Sequence, residues 1–218
     1  MKQFKKIFRK LKFTFLRKPS SLIEYHFKYY TTKEHLNYNL FKKLFLDING
    51  PLNIIETGSS AWGFNSSHLF DNFVKKFGGK FITVDIRPEV SNKLNLLFSK
   101  NSVAVCSDSI SFFNTLTNND IFDLVFLDSF DLDISNPEPA MNHCFQEFNL
   151  IKNYIKSGSI IIIDDTPNIE FFEKNFDNIN LPELIYSGFG KGNLVLKSLD
   201  LNIFEILFHE YSLVIRKI

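Results

Sequence analysis

Five apolar runs in this chain end in a carboxylate or reach one within two residues. They lead to Glu56 after "NII", Asp85 after "FITV", Asp108 after "VAVC", Asp128 after "LVFL", and the pair Asp164-Asp165 after "IIII". A single acid past a strand is an ordinary surface residue. The same placement at five strand ends points to chemistry, because ligands of open parallel sheets bind outside the carboxyl ends of the strands. Carboxylates there can accept hydrogen bonds from sugar hydroxyls, take a proton, or gather a cation.

Glu56 runs directly into the small-residue loop "ETGSSAWG". Gly58, Ser59 and Gly63 would let backbone approach a ligand closely. Asp85 lies about 20 residues beyond the loop, where a ribose-binding carboxylate is expected. Together they predict a nucleoside-type cofactor site. The loop is not GxGxxG, which argues against a dinucleotide. A plain strand-to-helix turn would read the same way locally.

These residues need a frame to hold them. Strands are predicted at about 52–56, 80–85, 102–106, 122–127, 159–164, 192–197 and 211–216. Helices are predicted at about 65–77, 89–99, 109–117, 138–156 and 169–176. An earlier helix is read in "TTKEHLNYNLFKKLFLDING", with Thr31 and Glu34 at capping-box spacing and Gly50 as its stop. The strands are continuous apolar runs rather than alternating ones, so both faces are covered. The expected fold is therefore α/β, a Rossmann-like three-layer sandwich with a seven-stranded, mostly parallel sheet. "NLVLK" and "YSLVIRK" have no long helix between them, so the last strand is expected to be antiparallel.

At 218 residues, the chain suits one domain that buries roughly 70% of its unfolded surface. Cys106 and Cys144 form no CxxC or Cys/His cluster, which argues against structural zinc and fits a reducing, cytoplasmic setting. No apolar run approaches the ~18 residues of a membrane span. The net charge of +1 conceals an asymmetry. Residues 1–18 hold eight Lys/Arg and no acid, leaving 17 basic against 24 acidic residues, or −7, in the rest. That head places Phe4, Ile7, Phe8, Leu11 and Phe15 at helical spacing among its cations. Residues 1–30 are read as a basic amphipathic segment before a domain at 31–218. The segment is patterned either for peripheral contact with an anionic membrane or for packing on the domain or a partner. The body lacks a basic stripe, so nucleic acid is not expected.

The loop and its downstream acids resemble the class I S-adenosylmethionine-dependent methyltransferases over about residues 45–218. The resemblance implies S-adenosylmethionine as cofactor. It assigns Glu56, Gly58, Ser59 and Gly63 to the methionine and ribose portion, Asp85 to the ribose hydroxyls, and Asp108 with Ser109 to the adenine. The ending "GKGNLVLK…YSLVIRK" is similar to that family's final hairpin. "FDLVFLDSFD" and "IKSGSIIIIDDTP" are similar to the macrocin- and catechol-type O-methyltransferases, which implies Mg2+ on Asp128, Asp164 and Asp165. Alternatively, Asp164-Asp165 forms a cap or turn before Pro167.

Two departures stand out. The second acid of the macrocin pattern, two residues past Asp128, is replaced by Phe130, with Asp131 one further on, and no basic residue lies nearby. Asp128, Asp131 and His143 are the candidates for a general base, although His143 can also be a polar residue on a helix flank. Trp62 and Phe130 are candidates to line the acceptor pocket or to pack. The expected activity is O-methylation of a small-molecule or glycan hydroxyl. The alternatives are a nicotinamide-dependent oxidoreductase and a non-catalytic Rossmann-like binding domain.

Overall fold

The computed structural model describes residues 11–59, 63–133, 135–175 and 190–218. Helix α1 spans Pro19–Tyr29 and α2 spans Tyr38–Asp47. There follow β1 (Leu52–Thr57), α3 (Ser66–Phe77), β2 (Gly79–Asp85), α4 (Pro88–Leu97), β3 (Ser102–Cys106) and α5 (Ser109–Phe113). The second half holds β4 (Phe122–Leu127), α6 (Glu138–Ile151), β5 (Ile155–Ile163), α7 (Ile169–Asn175), α8 (Asn193–Ser198), β6 (Phe204–His209) and β7 (Leu213–Lys217).

The sheet has seven strands in the order β3-β2-β1-β4-β5-β7-β6. Strands β1 to β5 are parallel to one another, and β7 is antiparallel to β5 and β6. The α/β, Rossmann-like architecture expected from the sequence is the one found. Strand residues alternate between two cores. Ile54, Leu124, Phe126, Ile162 and Val214 face α1, α2 and α3. Ile55, Val125, Leu127, Ile161, Ile163, Leu213 and Ile215 face α5, α6 and α8. Burial on both faces is why the strands read as unbroken apolar runs.

The abundant phenylalanine has a place. Phe27, Phe41, Phe45, Phe64, Phe70, Phe73, Phe81 and Phe126 are all buried in the first core. Phe41, Phe64 and Phe126 meet edge to face, an arrangement favoured by the ring quadrupole.

Several expectations fail. The segment 192–197 is helix α8, not a strand, and "FEILFH" forms the missing edge strand β6. A run as short as "NLVLK" has no periodicity that separates helix from strand. The antiparallel hairpin is thus β6–β7. The helix read from Thr31 begins only at Tyr38. The Glu34 amide donates to Thr32 Oγ1 (3.3 Å), so no box forms with Thr31. Pro19 opens a helix, as its fixed φ allows at a first turn. That helix buries Leu22, Ile23 and Phe27. The predicted helix 138–156 stops at Ile151, and Ile155 already belongs to β5.

Candidate functional site

The parallel ladders run one residue past the strands and carry the acids to the rim of the sheet. Gly58 N–H donates to Val84 O (2.9 Å), Asp128 N–H to Thr57 O (3.0 Å), and Asp164 N–H to Leu127 O (3.1 Å). At this rim a cleft of about 690 Å³ opens. It is lined by Gly58, Ser59, Asp85, Arg87, Asp108 and Ser109 on one flank and by Asp128, Phe130, Asp131 and His143 on the other. A hollow of about 620 Å³ at the opposite ends of the strands, near Lys43 and Lys156, is away from every strand-end acid.

Gly58 makes the crevice. Its φ is +77°, and a Cβ there would stand 2.2 Å from the Asp128 carbonyl oxygen. Only glycine allows β1 and β4 to end so close together. Glu56 does not line the cleft. It is fully buried, and its Oε2 accepts from Ser67 Oγ and Thr83 Oγ1, each at 2.6 Å. Thr83 Oγ1 in turn lies 2.6 Å from Ser59 Oγ. Glu56 is therefore a support under the loop, and burial pushes its carboxyl up to about 7. Gly63 (φ +79°) also lies outside the lining, and none of the described residues comes within 4 Å of where its Cβ would stand. Trp62 lies outside the described residues.

Asp85 is buried and fully engaged. Its Oδ2 accepts from Ser59 N–H (2.8 Å) and Arg87 Nη2 (2.7 Å). Its Oδ1 accepts from Arg87 N–H (2.8 Å) and Nε (2.9 Å). Burial pushes this carboxyl up, but the Arg87 guanidinium and the backbone N–H groups outweigh it and hold it below its ordinary value. The Arg87 side chain is half exposed. Asp108 caps α5 by accepting from Ser111 N–H (2.8 Å). Ser109 Oγ lies 3.0 Å from His143 Nε2.

His143 thus reaches into the cleft, with Phe130 beside its ring. Behind it, Glu147 Oε1 lies 3.6 Å from His143 Nε2 and accepts from Ser129 Oγ at 2.7 Å. Glu147 raises the imidazole pKa above its ordinary value, against burial. Asp131 is exposed at the rim. Phe130 and Asp165 hold positive φ, +57° and +46°, where the chain turns sharply after β4 and β5.

The acids past β4 and β5 meet a cation. Lys191 Nζ lies 2.9 Å from Asp128 Oδ1 and 3.0 Å from Asp165 Oδ2, with its side chain 3% exposed. Asp165 Oδ1 also accepts from the Tyr211 hydroxyl. Asp164 turns elsewhere. Its Oδ1 accepts from Asn37 Nδ2 (2.9 Å) and lies 2.6 Å from Ser212 Oγ.

No family model matches the chain, and no curated protein matches it. Solved structures do. MycE methyltransferase from the mycinamycin biosynthetic pathway, in complex with Mg and SAH, matches 92% of this chain at 17% identity and a TM-score of 0.62. The match takes in 55% of the MycE chain, so this protein spans about half its length. A putative caffeoyl-CoA O-methyltransferase from Staphylococcus aureus matches over 99% of both chains at 14% identity and a TM-score of 0.51. A putative methyltransferase from Streptococcus mutans, in complex with SAH, covers 83% of this chain and 97% of its own at 11% identity and a TM-score of 0.52.

The fold is that of the class I methyltransferases. In this methyltransferase fold the strand order places Gly58 and Asp128 at the switch point, where the chain passes from the β1-β2-β3 half to β4. A nucleoside has room on the flank formed by Gly58, Ser59, Asp85 and Ser109, where a glycine opens the cleft, and its ribose would take the place of the Arg87 guanidinium on Asp85. A divalent ion does not fit the three acids the sequence suggested. Lys191 takes one oxygen each of Asp128 and Asp165, and Asp164 is bound to Asn37 and Ser212 instead of converging with them. Among the described residues, no group of three or more His, Cys, Asp or Glu is arranged to hold a metal.

Arg87, Lys191 and Glu147 escaped the sequence reading. Arg87 was signalled by its place two residues after Asp85. Lys191 sits between two glycines in "GKG", just before the predicted strand at 192–197. Glu147 is one helical turn past His143.

Proposed function

We propose that the protein is an S-adenosylmethionine-dependent methyltransferase acting on a hydroxyl oxygen of a small molecule or glycan. The observation that carries this reading is the two-sided cleft. One flank offers a ribose-type carboxylate and a glycine-made cradle, and the other offers Asp128, Asp131 and His143 as proton acceptors. When bound, S-adenosylmethionine supplies a methyl group on a sulfonium.

On this reading Gly58 and Ser59 present backbone to the methionine portion. Asp85 accepts the ribose hydroxyls in place of the Arg87 guanidinium, with its orientation kept by Ser59 N–H. Asp108 and Ser109 flank the adenine. His143 is the best-placed base. It lines the cleft, and Glu147 stabilises its protonated form. The acceptor O–H proton passes to His143 as the oxygen takes the methyl group. Positioning supplies most of the acceleration for such a displacement.

The exposed side chains of Leu11 and Phe15, on a segment whose Phe13 and Leu16 turn to the core, support peripheral membrane contact by the basic head. No helix among the described residues is long and apolar enough to cross a membrane.

The activity test is a mass-spectrometric screen of hydroxylated acceptors with S-adenosylmethionine. A mass gain of one methylene at an oxygen supports the reading, and transfer only to nitrogen or sulfur acceptors refutes its oxygen specificity. The oxidoreductase alternative predicts nicotinamide absorbance co-eluting with the protein.

A further inference from the structure

We propose that Lys191 is the resident cation of the cleft's acceptor side, holding Asp128 and Asp165 where a metal-assisted site would hold a divalent ion, so that this chain neither needs nor binds one there.

The donor set carries the argument. Asp128 and Asp165 follow the adjacent strands β4 and β5, and a single ammonium bridges them at 2.9 and 3.0 Å. An ammonium offers three donors and no acceptor, so it satisfies two carboxylates without adding a lone pair. Magnesium instead demands near-octahedral oxygen at about 2.0–2.1 Å. It would have to draw the same two oxygens inward and expel the lysine. With the side chain 3% exposed, the displaced charge would have no ready route to water. The third acid that could complete a metal site, Asp164, is held by Asn37 and Ser212.

The backbone around Lys191 is shaped to deliver it. A Cβ on Gly190 would lie 3.0 Å from Thr166 Cα, and one on Gly192 2.9 Å from Thr166 Oγ1. Lys191 N–H donates to Asp165 O (3.0 Å) and Gly192 N–H to Thr166 Oγ1 (2.9 Å). The two glycines let the loop lie flat on the turn after β5, with the lysine projecting between them. Lys191 is absent from the lining of the cleft, whereas Asp128 lines it. The cation thus backs the carboxylate that faces the acceptor.

This inference concerns cation binding, and its test does not involve methyl transfer. Mn2+ is titrated into the full-length protein and followed by electron paramagnetic resonance to about 1 mM. Wild type is expected to show no saturable site. Lys191→Ala is expected to gain one, and adding Asp128→Asn is expected to remove it again. A saturable Mn2+ site in wild type that Asp128→Asn abolishes would overturn the proposal. So would a Lys191→Ala protein with the wild-type circular dichroism spectrum that gains no site. If Lys191→Ala does not fold, the wild-type titration alone decides between the two outcomes.

Discussion

Gly58 and Asp128 touch across the switch point of the sheet, with the glycine Cα so near the Asp128 carbonyl that a Cβ would stand 2.2 Å from the oxygen. This contact joins the nucleoside flank of the cleft to the acceptor flank. Gly58→Ala combines a positive φ with a backbone clash, and is expected to cost about 3 kcal/mol. Gly63→Ala shares the positive φ but meets none of the described residues, and should cost about 1 kcal/mol. Denaturant midpoints of the two variants test the difference. Equal losses would contradict the account of the crevice.

Arg87 competes with any ligand for Asp85. Its guanidinium bonds both carboxylate oxygens, yet its side chain is half exposed, so the pair contributes little, on the order of 1 kcal/mol. Arg87→Met is therefore expected to tighten S-adenosylhomocysteine binding by about fivefold. Weaker binding in the variant would show that Arg87 holds the ligand instead of yielding to it.

Two buried groups make stability depend on pH in opposite senses. Burial pushes the Glu56 carboxyl up to about 7, so between its unfolded value of 4.5 and 7 the folded state binds more protons and stability falls as pH rises. Burial pulls His26 down to about 4, so between 4 and 6.5 the unfolded state binds more protons and stability falls as pH drops. His26 Nε2–H donates to Phe64 O (2.7 Å), while its Nδ1 has no partner among the described residues. Each shift corresponds to about 3 kcal/mol. Relative to wild type, Glu56→Gln should gain stability as pH rises from 4.5 to 7. His26→Gln should gain as pH falls from 6.5 to 4. Urea melts across this range check both slopes, and slopes of the same sign would contradict the assignment.

The proton-transfer role of His143 separates chemistry from binding. His143→Gln keeps a polar group near Ser109 but cannot take the proton, and is expected to lower kcat by about 100-fold with S-adenosylhomocysteine affinity unchanged. Single-turnover methylation and calorimetry read the two quantities. An unchanged kcat would move the base to Asp128 or Asp131.

The legible part of this protein was its parallel sheet. Runs such as "FITV" and "LVFL" are buried on both faces, and each delivers an acid to the rim. The strand-end acids Asp85, Asp108 and Asp128 do line one cleft. Pairings across the chain were not legible. Nothing local to Lys191 reveals that it reaches Asp128, 63 positions away, or that Asn37 and Ser212 hold Asp164. Glu56 looked like a ligand residue because its type and place are right, but its hydroxyl partners Ser67 and Thr83 turn it inward. The strand expected at 192–197 fails for the same reason, since nothing local to "NLVLK" shows that Val195 and Leu196 pack in the second core as part of a helix.

Cofactor binding is the central claim, and calorimetric titration with S-adenosylhomocysteine tests it most directly. Wild type is expected to bind with one site per chain, and Asp85→Ala is expected to weaken binding by at least about tenfold, the loss of 1.4 kcal/mol or more of contact to the ribose. No heat of binding in the wild type, or equal affinity in Asp85→Ala, would contradict the account.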